Sequence, residues 1–89
     1  MLPNFNKGNA LFQLDKLDQA IKEFDSALKL NPNYINALNN KGAILSSLGS
    51  CKEDIICYDR ILEIDPDHRY ALYNKTKCLS ETKKVIKDK

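Results

Sequence analysis

Between Leu17 and Leu30 the apolar side chains fall at 17, 20, 21, 24, 27, 28 and 30, with Lys22, Glu23, Asp25 and Lys29 among them. Steps of three and four place the apolar set on one helical face and the charges opposite. The stretch 51–64 repeats the pattern with Cys51, Ile55, Tyr58, Ile61, Leu62 and Ile64. Each stretch then meets Asn31-Pro32 or Asp65-Pro66. Proline has no amide proton and clashes with the preceding turn, so it closes one helix and can open the next. Gly49-Ser50 interrupts the second half of the chain, and Asp15-Lys16 stands at the matching place in the first. The pattern predicts five helices, over 3–14, 17–30, 34–48, 51–64 and 68–87. The last is expected to run unbroken, because Thr82-Lys83-Lys84 offers neither glycine nor proline where the earlier pairs turn.

These elements recur with a fixed period. Asn6-Lys7-Gly8 returns as Asn40-Lys41-Gly42 and as Asn74-Lys75-Thr76, each 34 positions on. Leu11 aligns with Leu45 and Leu79, Phe24 with Tyr58, Leu28 with Leu62, and Pro32 with Pro66. Such a period marks a stacked helical repeat, in which each unit buries its apolar face only against its neighbours. The division expected is a single domain, 1–89, made of one repeat over 1–34, a second over 35–68 and a partial repeat over 69–89. Gly8 and Gly42 fall inside helices, where glycine costs about 1 kcal/mol against alanine. Close approach of a partner helix would explain them, with Ala20 as the small residue meeting Gly8.

Gly8, Leu11, Ala20, Phe24, Ala27 and Pro32, followed in phase by Gly42, Leu45, Tyr58 and Pro66, resemble the tetratricopeptide repeat. The resemblance covers the chain as two full repeats and the first helix of a third. It implies an all-α fold, an α-α superhelix or right-handed solenoid of antiparallel helix hairpins, with the first helix of each pair lining a concave groove. Three positions depart from the pattern. Asp54 stands where Ala20 stands, bringing a carboxylate toward Gly42 that needs a hydrogen-bond partner or a place at the edge of the contact. Ile61 replaces Ala27, and Thr76 replaces the glycine.

Charge alters this picture little. Net charge is 0 over 1–34, −3 over 35–68 and +5 over 69–89, a gradient that can orient partners. The basic end consists mainly of lysines without a groove-reading motif, so no nucleic-acid binding is expected. No stretch approaches the roughly 20 apolar residues of a membrane span. The N-terminal residues show neither a basic leader nor an apolar signal core, and the compartment expected is the cytoplasm. Cys51, Cys57 and Cys78 share no zinc or redox spacing. Cys51 and Cys78 are expected as small core residues, and Cys57, aligned with Glu23, as exposed.

No catalytic constellation is present. The lone His68, after Asp65-Pro66-Asp67, is expected to be a solvated or helix-capping residue, and this cluster lacks a fourth metal ligand. Phosphate loops and nucleophile elbows are absent. The expectation is a non-enzymatic chain without metal or cofactor, acting on a protein or peptide partner. By the resemblance, its groove would be lined by Phe5, Asn6, Asn9 and Phe12, then Asn36, Asn39, Asn40 and Ala43, then Tyr70, Tyr73, Asn74 and Lys77. Asn6, Asn40 and Asn74 stand one repeat apart, like the asparagine ladder of long superhelical members that hold extended chains by main-chain atoms. A carboxamide has both a donor and an acceptor for that purpose. The competing expectation is that these amides solvate the groove wall or bond to adjacent helix turns. The family's carboxylate clamp for acidic C-terminal tails is matched at Asn9 and Asn40, but Phe5, Tyr70 and Asn74 occupy its cationic positions. The alternative function is self-association through 70–86, where Leu72, Leu79 and Ile86 form a seven-residue stripe and a homodimer would cover it.

Overall fold

The computed structural model describes residues 3–87, and their side chains over 4–80. It contains α1 (Pro3–Gln13), α2 (Leu17–Leu30), α3 (Ile35–Ser47), α4 (Cys51–Ile64) and α5 (Arg69–Lys87). Each boundary lies within one residue of the sequence expectation. α5 continues as one helix, as the missing breaker implied.

The turns explain the boundaries. Asp15 and Gly49, one period apart, both adopt left-handed backbone, with φ 63° and 77°. In the first turn Lys16 N–H donates to the Leu11 carbonyl at 2.9 Å and Asp15 N–H to that of Phe12 at 3.0 Å. In the second, Ser50 N–H donates to Leu45 at 2.8 Å and Gly49 N–H to Ser46 at 3.1 Å. This is the Schellman closure of a helix C-terminus, made twice. Between repeats, the Asn31 and Asp65 side chains accept the amides of Asn33 and Asp67 at 3.1 and 3.3 Å, turning the chain at each proline. His68 caps α5, its Nδ1 accepting the Ala71 N–H at 3.1 Å.

α1 packs on α2 and α3 on α4 as hairpins, while α2 meets α3 and α4 meets α5 across the repeat boundaries. The body is elongated, 45 × 28 × 17 Å, as stacking along one axis requires. One core joins Ala20, Phe24, Ala27, Ala37 and Ile44, with Leu17, Leu11 and Tyr34 against it. A second joins Leu38, Tyr58, Ile61 and Ala71.

Two expectations about packing change. Gly8 faces Phe24 rather than Ala20: a Cβ there would lie 2.7 Å from the ring, and one on Gly42 would lie 2.9 Å from the ring of Tyr58. The glycine therefore matches the aromatic one turn further along the partner helix. Cys57 is buried, not exposed. Its register partner Glu23 is half-buried, held by Asn4 Nδ2 at 2.9 Å and Lys7 at 3.6 Å, so the position faces the hairpin interior in both repeats.

Candidate functional site

Two of the three lysines that follow the repeated asparagine are held by carboxylates of the preceding repeat. Lys41 pairs with Asp25 at 2.6 Å and Lys75 with Asp59 at 2.5 Å, two contacts related by one period that tie α3 to α2 and α5 to α4. As partly exposed pairs they contribute less than about 1 kcal/mol each. Their effect is to set register between repeats and to neutralise the cations.

The asparagine of the motif is placed differently in each repeat. Asn40 Nδ2 donates to Asn9 Oδ1 at 2.7 Å, a cross-helix amide pair joining α3 to α1. Asn74 Nδ2 donates to the Tyr70 carbonyl of its own helix at 3.0 Å, while Asn6 is exposed. Asn36 is exposed and Ala43 half-buried. Asn39 Oδ1 is enclosed and without a hydrogen-bond partner among the described residues. The aromatics divide. Phe5 and Phe12 are half-buried and pack against the first core, with the Phe5 ring 5.9 Å from Phe24 and 4.9 Å from Tyr34. Tyr70 and Tyr73 stand exposed on α5 beside exposed Lys77. The fold thus joins Asn9 to Asn40 directly and leaves α5 as the open, aromatic part of the candidate surface.

On α5, Leu72 and Leu79 are 44% and 47% exposed. Ala71 and Cys78, by contrast, are buried in the packing of α5 on α4. Ile86 lies outside the residues whose side chains are described. No helix among the described residues is long and apolar enough to cross a membrane.

Sequence spacing singled out Asp54, Cys51 and Cys78 separately but did not bring them together. Cys51 and Cys78 are joined Sγ to Sγ as a disulfide, with Cα atoms 5.9 Å apart. Asp54 lies beside them, 1% exposed, and neither carboxylate oxygen has a hydrogen-bond partner among the described residues. Burial pushes its carboxyl up from the ordinary value, against a weaker pull from the nearby Ser46 and Tyr58 hydroxyls, which do not reach hydrogen-bonding geometry. Burial, and next the charge of Asp54, pushes the Tyr58 phenol up as well. Cys57 stands apart: burial pushes its thiol up to about 11, against the opposing charge of Lys41, so it is an inert thiol near neutral pH.

Paired helices stacked into a superhelix define a repeat protein of the interaction-scaffold class. Two family models match the sequence: a TPR repeat over residues 8–49 and a tetratricopeptide repeat over 35–68. Together they span 8–68, and the chain belongs to the tetratricopeptide repeat family. No curated protein matches it in sequence. Among solved structures it is similar to the first TPR of Spaghetti (RPAP3) bound to the HSP90 peptide SRMEEVD, with a TM-score of 0.82 and 28% identity. That alignment covers 89% of this chain and 63% of the other. The crystal structure of MamA shares the fold, with a TM-score of 0.71 at 23% identity, over 94% of this chain and 59% of the other. The chain therefore spans less than two thirds of the length of either.

Proposed function

We propose that this chain is a non-enzymatic protein-interaction module that holds an extended peptide segment along α1, α3 and α5 through main-chain hydrogen bonds. The Asn9–Asn40 pair carries the reading. Their mutual bond uses the Asn9 acceptor and one Asn40 donor, leaving Asn9 Nδ2 as donor and Asn40 Oδ1 as acceptor. One donor beside one acceptor is what a passing peptide unit requires. The pair also fixes both side chains before binding, which lowers the ordering cost on association. Asn6, Asn36, Asn39, Ala43 and Asn74 would extend the polar wall, with Phe5, Phe12, Tyr70 and Tyr73 contacting side chains and Lys77 at the rim.

The neighbouring structure holds an acidic peptide, SRMEEVD. Charge argues for a different ligand here. Phe5, Tyr70 and Asn74 stand at the positions of a carboxylate clamp's cations, while Lys41 and Lys75 are engaged by Asp25 and Asp59. At those positions a peptide carboxylate would lose water without gaining a charged donor, Lys77 standing only at the rim.

The test uses peptides selected from an unbiased library, compared with SRMEEVD and its C-terminally amidated form. Asn40→Ala is expected to weaken the selected peptides about two- to tenfold, since a neutral hydrogen bond contributes about 0.5–1.5 kcal/mol. Added salt should have little effect, and amidating SRMEEVD should change nothing. Binding that collapses with salt or on amidation, with Asn40→Ala harmless, would reject the main-chain reading.

The exposure of Leu72 and Leu79 favours a second reading, in which α5 pairs with α5 of another copy in a two-fold dimer.

A further inference from the structure

Leu17, Ala20 and Ile44 gather in the first core, where Leu17 packs against the cluster that holds the other two. One period later the same three positions are Cys51, Asp54 and Cys78. An apolar trio in one repeat is thus replaced in the next by three side chains of metal-ligand type. Their ligand atoms, two sulfurs and a carboxylate oxygen, all lie within 4.8 Å of one another. Asp54 is almost completely buried with both oxygens unpartnered. Nothing in helix packing calls for a carboxylate there, since Ala20 fills the equivalent place. With the Ser46 and Tyr58 hydroxyls nearby but no well-formed hydrogen bond to either oxygen, a buried carboxylate is costly unless it is paired or coordinates a metal.

We propose that, with the disulfide reduced, Cys51 Sγ, Cys78 Sγ and a carboxylate oxygen of Asp54 bind one zinc-class divalent cation, leaving a fourth position to water or an outside ligand. The donor set selects the ion: two thiolates favour a borderline-soft cation over magnesium or calcium, which take oxygen. Tetrahedral zinc, with bonds of about 2.3 Å to sulfur and 2.0–2.2 Å to oxygen, sets its ligand atoms roughly 3.5–3.8 Å apart. The carboxylate oxygen already lies within 4.8 Å of both sulfurs, and reduction frees the sulfurs, bonded to each other here, to part to that spacing. Cys51 opens α4, where unpaired amides and the positive end of the helix dipole favour a thiolate. Cys51 is only half-buried and lines a surface cleft with Gly49, Ser50, Lys52 and Glu53, so one of the three ligands borders solvent. The bound ion would clamp the first turn of α4 to α5.

Metal and disulfide exclude each other because each uses both sulfurs. Reduction by a phosphine adds two electrons and two protons to the sulfur pair, while the phosphine becomes its oxide with oxygen from water. Loading zinc on the resulting thiols then releases those two protons. Cys57, buried and inert, takes no part.

The experiment is anaerobic titration of the phosphine-reduced chain with cobalt(II), followed by zinc(II). The expected result is one cobalt per chain with a thiolate-to-cobalt charge-transfer band, bleached as zinc displaces it. Cys51→Ser or Cys78→Ser should weaken or remove the band, and Asp54→Ala should lower cobalt affinity at least tenfold. Asp54→Ala restores the residue of the first repeat, so its fold is expected to survive, with helix content by circular dichroism as the check. A reduced, folded wild type without the band at millimolar cobalt overturns the proposal. So does Asp54→Ala binding as tightly as wild type, or Cys78→Ser binding unchanged. None of these results bears on peptide binding, which is measured separately.

Discussion

Asp54 is a carboxylate in the place where the first repeat has a methyl group, and its burial makes stability depend on pH. In the unfolded chain it titrates near the ordinary value of 3.8; in the fold, burial raises it. Across the interval between those two values the folded state binds more protons, so stability falls as pH rises through it. Below the interval both states are protonated and the penalty vanishes. In reduced, metal-free protein, Asp54→Ala is therefore expected to stabilise by about 1–2 kcal/mol at about pH 7 and by much less at about pH 4. Urea unfolding at the two pH values measures the difference, and equal gains at both would mean the charge is not the cause. Position 54 was legible as a departure from the repeat, but its lack of a partner was not. The sequence places Asp54 on a helix face; only the packing of α3 and α5 against α4 decides whether a donor reaches it.

At the scale of elements, the turns and caps were the most legible features. Gly49-Ser50 and Asp15-Lys16 predict breaks one period apart, and the left-handed φ at Asp15 and Gly49 supplies the reason. The first turn uses a residue with a Cβ where the second uses glycine. A left-handed conformation costs a non-glycine residue roughly 1–2 kcal/mol, less for aspartate, which adopts it more readily than most. Asp15→Gly should accordingly raise stability by about 0.5–1 kcal/mol in thermal unfolding, and Gly49→Ala should lower it by about 1 kcal/mol. An Asp15→Gly variant less stable than wild type would show that the aspartate side chain stabilises the turn. The reading of the glycines inside the helices needed correction for a simple reason. Register identifies which helices approach, whereas their relative axial shift decides that Phe24 and Tyr58, rather than Ala20, meet the missing Cβ.

For the whole molecule, α5 packs on α4 and keeps Leu72 and Leu79 open. If a second copy covers that face, sedimentation should show a concentration-dependent dimer that Leu79→Asp returns to monomer with helix content unchanged. A wild type that stays monomeric at high micromolar concentration removes the dimer reading and leaves peptide capture untouched. The exposed tyrosines of α5 mark it as the most open part of the candidate groove, and both readings draw on that exposure.

Period, helix number and boundaries were determined by the sequence alone, because they depend on local spacing: apolar steps of three and four, proline at the repeat junctions, glycine or aspartate at the turns. The outline of the candidate surface came from the family resemblance, carried over by the same register. Tertiary structure alone decided that Asn40 pairs with Asn9 while Asn74 bonds within its own helix, because those partners depend on helix separation and rotamer. It also decided that Cys51, Asp54 and Cys78 converge. Cys51 and Cys78 are 27 residues apart, with no motif to connect them, and they meet only because α5 packs across the first turn of α4. Spacing along a chain specifies which face a residue occupies; what that face meets is set by how the helices cross.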